Sequence, residues 1–227
     1  MTAIDYTVIR SRRRSLELRL YPDRRIEVRV PMRTSMADID AFLASKARWL
    51  QRRLDGMTAS LPPAPPPGYQ QGDSHLFMGK RYPLLLVPAR RALTTLQQGQ
   101  LTLLTPEPDD SARVADQLGR WYRRQADAVF SNMIDRHFPF FAERGHLRPA
   151  LRVRSMRSRW GSLSSRGYIN LNLELIKTPA AAIEYVVVHE LCHLEHMNHG
   201  AGFRDLLTRR LPDWQQRKRD LNLSPLI

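Results

Sequence analysis

A single cysteine, Cys192, stands in 227 residues, and that scarcity excludes an internal disulfide framework. Long apolar runs are missing as well. Nothing approaches the roughly 18 residues of a membrane span, so no membrane partner is expected. The N-terminus, Met1-Thr2-Ala3-Ile4-Asp5-Tyr6, puts an acid where a signal peptide needs an apolar stretch. Together these absences make the cytoplasm the expected compartment. Lysine is scarce too: of 36 basic residues, only Lys46, Lys80, Lys177 and Lys218 are not arginine. Acids number 22 and leave a net charge of +14. Such a surplus points either to an anionic partner (nucleic acid, nucleotide or acidic peptide) or to a solvated surface set by arginine-rich composition.

What remains is ordinary for a globular chain: 42% hydrophobic and 26% charged residues. Alternation at period two predicts strands over 4–9, 16–20 and 25–30, followed by a helix over 35–54. The stretch Leu61-Pro62-Pro63-Ala64-Pro65-Pro66-Pro67-Gly68 reads as a stiff connector. Strands return over 75–78, 82–87, 92–96 and 100–104, with Gln97-Gln98-Gly99 as a hairpin loop. Helical spacing of Val114, Leu118, Trp121, Val129, Met133 and Ile134 then predicts a long helix over 110–137. The fold class is α+β. A β-rich part over 1–105 contains one helix and the connector at 62–68, and a helical part with a small antiparallel hairpin or sheet covers 106–227, unless the two form one continuous domain.

Residues 148–166 hold six arginines and no acid. Within them Leu151-Arg152-Val153-Arg154 alternates like a strand, Ser158-Arg159-Trp160-Gly161-Ser162 reads as a tight loop, and 168–173 reads as a second strand. The two strands are expected to form a hairpin. Its edge would accept an extended substrate as an extra strand, with arginines beside it to stabilise developing negative charge.

The chemistry concentrates in His189-Glu190-Leu191-Cys192-His193, with a further histidine at 196 and at 199. On a helix His189 and His193 lie one turn apart on one face and can grip one divalent ion. Glu190 is rotated by about 100° from His189, so its carboxylate can take a proton from water without binding the ion. The preceding run Ile183-Glu184-Tyr185-Val186-Val187-Val188 is apolar on nearly every side. The helix is therefore buried, and polar groups on it need partners. Thr178 is the expected N-cap, with Pro179 in the first turn. The third ligand is His196 or His199. A continuing helix would set the Cα of His196 about 10.5 Å from that of His189. Met197-Asn198-His199-Gly200 reads instead as a helix stop using left-handed backbone, which would swing His199 back. The spacing to His199 is that of the metzincin pattern, although His196 replaces the glycine of that turn. His75, His137 and His146 receive no ligand role.

Arg157-Ser158-Arg159-Trp160-Gly161-Ser162, Ile169-Asn170-Leu171-Asn172, Val187 to His193, Asn198-His199 and Phe203 resemble the YgjP-like metal-dependent hydrolases, relatives of the SprT and WLM metallopeptidases. The resemblance is strong from 150 to 221. It implies a zincin-type site with His189, His193 and His199 as ligands of one zinc ion and Glu190 as base. Arg157, Arg159, Trp160 and Asn170 are the expected substrate-binding residues. Two departures, Leu163 where a cysteine often stands and Arg204 where a tryptophan often does, touch none of the inferred ligands. The expected function is a zinc metallopeptidase acting on peptides or proteins. The alternatives are a metal-dependent phosphoanhydride hydrolase acting on nucleotides, motivated by Arg152, Arg154, Arg157 and Arg159, and a nucleic-acid-binding module with a structural metal.

Overall fold

A computed structural model of the chain describes residues 5–21, 25–57 and 68–222. The proline-rich stretch, Gly68 excepted, lies outside the described residues. The chain divides into two units, Met1–Pro65 and Pro66–Ile227.

In the first unit, strands β1 (Thr7–Ser11), β2 (Glu17–Leu20) and β3 (Ile26–Pro31) form a sheet of order β1-β3-β2. Strand β3 runs parallel to β1 and antiparallel to β2. Helix α1 (Met36–Met57) starts where the Ser35 hydroxyl accepts the Asp38 amide at 3.1 Å and donates to its carboxylate at 2.6 Å, a reciprocal cap. Val28, Val30 and Ile39 are fully buried together in a small core.

The second unit holds the strands over 74–105, which the sequence assigns to the N-terminal part. The difference has a packing cause: Leu84, Leu101 and Leu103 share one core with the later helices. Strands β4 (Ser74–Phe77), β5 (Lys80–Pro88), β6 (Leu93–Gln97) and β7 (Gln100–Thr105) take the order β4-β5-β7-β6. Gln98 and Gly99, at φ 49° and 77°, make the two-residue turn whose twist suits a hairpin. Helix α2 (Ser111–His137) begins at Asp110, whose side chain accepts from the amides of Ala112 and Arg113. A short helix α3 (Pro139–Ala142) follows.

Strands β8 (Ala150–Arg154), β9 (Gly161–Ser164) and β10 (Tyr168–Asn172) form the third sheet, in the order β8-β10-β9. The expected hairpin of the first and last of these is not formed, since they pair in parallel. The stretch read as a loop end supplies the antiparallel partner instead: Ser162 pairs with Asn170 and Gly161 with Leu171. Its alternation was concealed because Gly161 has no side chain to mark the inner face.

A 3₁₀ turn (Leu173–Lys177) leads to α4 (Ala180–Cys192). Thr178 does not cap α4; its hydroxyl donates to the Leu175 carbonyl at 2.8 Å. Helix α4 packs against α2, β9, α5 (Ala201–Arg210) and α6 (Trp214–Asn222). Three elements are tied together at Glu184. Its carboxylate pairs with His137 at the end of α2 (2.8 Å) and with Arg217 of α6.

The Glu184 carboxylate works against burial, but hydrogen bonds from Arg217 and His137 hold its pKa below the ordinary range. A depressed carboxylate stabilises the fold above its unfolded pKa, about 4.3 for glutamate, and ceases to do so as pH falls through its folded value. Glu184→Gln is therefore expected to cost about 1–2 kcal/mol at pH 7, and thermal denaturation should show the gap from wild type closing as the buffer is taken below pH 4.

Candidate active site

Helix α4 gives up its regular geometry where the polar residues begin. The His193 amide donates to both Glu190 and Leu191 carbonyls, and the amides of Leu194 and Glu195 reach only three residues back. The helix thus ends about five residues before the expected stop. Left-handed backbone plays no part: Gly200 has φ −71°, and Asn198 is not among the positive-φ residues. The loop from 194 to 200 returns the chain along α4 to the start of α5.

That return brings three imidazoles together. One ligand atom each from His189, His193 and His199 lies within 4.8 Å of the others. Nε2 of His189 and Nε2 of His199 are 3.0 Å apart. Two nitrogens bound to one tetrahedral ion at about 2.0–2.1 Å would stand about 3.3 Å apart, so the set fits a single ion. His193 Nδ1 donates to the His196 carbonyl at 2.9 Å, which fixes the tautomer and leaves Nε2 as a lone-pair donor. His196 serves through its backbone; its ring lies beside Gly202, within 2.9 Å of where a Cβ there would stand. Phe203 packs against all three rings, with centroids 4.7 to 4.9 Å away. Burial, then the neighbouring His193, His199 and Lys218, pushes the His189 pKa down to about 3; burial, with His193 and Lys218, lowers that of His199. Both rings are neutral at pH 7, as ligation requires.

The family model for the YgjP-like metallopeptidase domain matches residues 14–224. The chain belongs to that family. It is accordingly a hydrolase of the metal-dependent peptidase type. Two solved structures are similar over part of the chain. One is the metallopeptidase zymogen abylysin of Pyrococcus abyssi, 18% identical, covering 40% of this chain and 90% of its own at a TM-score of 0.37. The other is the zymogen jannalysin of Methanocaldococcus jannaschii, 15% identical, covering 41% and 87% at 0.36. No curated protein matches. None of these findings points to a nucleotide or nucleic-acid partner. Among the described residues no helix is long and apolar enough to cross a membrane.

In this YgjP-like metallopeptidase the Glu190 carboxyl is buried beside the histidines. Burial pushes its pKa up to about 7, against the Leu163 amide and the Arg159 charge, which pull it down. A cation held by the histidines would add to that downward pull. The carboxylate is seated by β9: a Cβ placed on Gly161 would lie 2.8 Å from both Cγ and Oε1 of Glu190. Glycine is needed there for space, and this role was not visible in the sequence. Asn172, fully buried, is a second residue the sequence reading missed. Its side-chain amide donates to the carbonyls of Met156 (2.8 Å) and Arg159 (3.1 Å), and so holds the bend that delivers Trp160 and Gly161.

The expected substrate residues divide. Trp160 lines the cleft with His189, Glu190 and His199, and Arg159 is near enough for its charge to reach Glu190. Asn170 is turned to Ser162, 3.3 Å from its hydroxyl, and is not among the cleft-lining residues. Arg157 is exposed and does not line the cleft either. Arg152 lies over the Tyr168 ring at 3.3 Å, on a strand separated from β9 by β10. The arginine cluster therefore does not converge as phosphate binding would require.

Gly161→Ala should displace Glu190 and lower turnover by roughly 100-fold, while metal content measured by atomic emission stays unchanged. His193→Ala should weaken metal affinity by at least about 100-fold in chelator competition.

Proposed function

We propose that the protein is a zinc metallopeptidase in which His189, His193 and His199 hold one ion and Glu190 is the general base. The observation that carries this reading is the convergence of three imidazoles beside a buried carboxylate that does not belong to the ligand set. Three imidazoles with a fourth position open suit catalytic zinc. When bound, zinc polarises the substrate carbonyl and lowers the pKa of water at that open position. Glu190 takes a proton from the attacking water and returns it to the departing amine. Its seat against Gly161 and the Leu163 amide keeps the carboxylate turned toward the histidines during that transfer.

The substrate lies along β9, whose position at the end of the order β8-β10-β9 leaves one side without a strand partner among the described residues. An extended peptide adding there gains backbone hydrogen bonds and runs past Glu190. A structural metal would leave the Glu190 carboxylate without a task. The lone, buried Cys192 suits a cytoplasmic setting.

Glu190→Gln should keep one zinc per chain yet hydrolyse casein-derived peptides about 10²–10⁴-fold more slowly. Unaltered turnover in that variant refutes the general-base role. Nucleoside triphosphates incubated with the zinc-loaded protein are expected to remain intact.

A further inference from the structure

One wall of the cleft carries a charge that the hydrolytic chemistry does not use. Trp214, Lys218, Leu221 and Asn222 recur at helical spacing along α6, and all four line the cleft, whose volume is about 480 Å³. The acids of α6 and its start are already engaged. Asp213 takes Arg217 Nε at 2.9 Å on both oxygens, and Asp220 takes Gln216 at 2.7 Å. Lys218 is left exposed, its amine 6.0 Å from the Trp214 ring centroid. Trp214 in turn stacks on Tyr185 at 6.5 Å and 11°. Among the described residues no carboxylate comes within ion-pair distance of Lys218. Arg204, on the α5 wall, reaches only the His199 carbonyl at 3.3 Å. Among the described residues Glu190 is the one acid lining this cleft, and beside Asn222 the surface near α6 includes the apolar Val186, Leu207 and Leu221.

Two cations with no acidic partner among the described residues, set beside apolar side chains in the wall of one cleft, form half of a charge pair. We propose that Lys218 and Arg204 make an anion subsite, so that this peptidase selects peptides with a carboxylate next to an apolar residue beside the cleaved bond. The proposal rests on the metallopeptidase reading of the same cleft. An aspartate or glutamate side chain and a free C-terminal carboxylate offer the same chemistry.

Binding separates this proposal from the peptidase reading. The full-length Glu190→Gln chain is titrated calorimetrically with blocked hexapeptides that differ only in Leu-Glu against Leu-Gln, and with a second pair differing in a free or amidated C-terminus. At least one carboxylate-bearing member should bind about tenfold more tightly than its neutral partner, and the pair that responds identifies the source of the carboxylate. Lys218→Met should abolish the preference, and Lys218→Arg should retain it. In the active protein Lys218→Met should raise KM for the preferred peptide and leave kcat nearly unchanged. Equal affinities within both pairs, absence of binding to all four, or a preference untouched by Lys218→Met overturns the subsite. Hydrolysis without preference leaves the peptidase reading standing; preference without hydrolysis leaves the subsite standing.

Discussion

A helix buried on nearly all sides can carry polar chemistry only where its surroundings leave a gap, and α4 has one such gap. Its apolar stretch is enclosed by α2, α5, α6 and β9. Transfer of a carboxyl and two imidazoles into such surroundings is costly unless each finds a partner. The third imidazole and the His196 carbonyl, both from the loop after the helix, and the Leu163 amide of β9 supply those partners. The gap is narrow because β9 approaches with a glycine, and the helix yields its last turn just where the second histidine must face outward.

Holding that gap open is the task of groups some distance away. Glu184, on the same helix, is clasped by His137 and Arg217, so α2 and α6 are fixed relative to α4. The cleft wall on α6 inherits its position from that clasp: Arg217 points back to α4, and its neighbour Lys218 points into the opening. Asn172 does the corresponding work on the other side, where it pins the bend ahead of β9. The active groups are few, and the residues that orient them are drawn from elements far apart in the chain.

The helix-borne part of the site was legible because one period links His189, Glu190 and His193 and because the run before them is apolar. The choice between His196 and His199 turns on where a helix ends, and that is set by local hydrogen bonds such as His193 Nδ1 to the His196 carbonyl. Side-chain spacing does not reveal these. The pairing of β8 with β10 was misread because a four-residue strand beginning with glycine gives almost no alternation. Asn170 and Asn172 look equivalent in sequence. Their register sends one to Ser162 across the sheet and the other into the core. The α6 wall carries no signal in the sequence, since nothing local to Trp214 and Lys218 tells which cavity they face.

Cys192 gives the protein an unplanned convenience. Fully buried, with its thiol pushed up to about 12, it stays protonated and shielded where maleimides and other thiol-directed dyes react. An added surface cysteine would then be the single labelling position in an otherwise unaltered background. Fluorophores or spin probes placed on the rim would report ligand entering the cleft without the native thiol being removed.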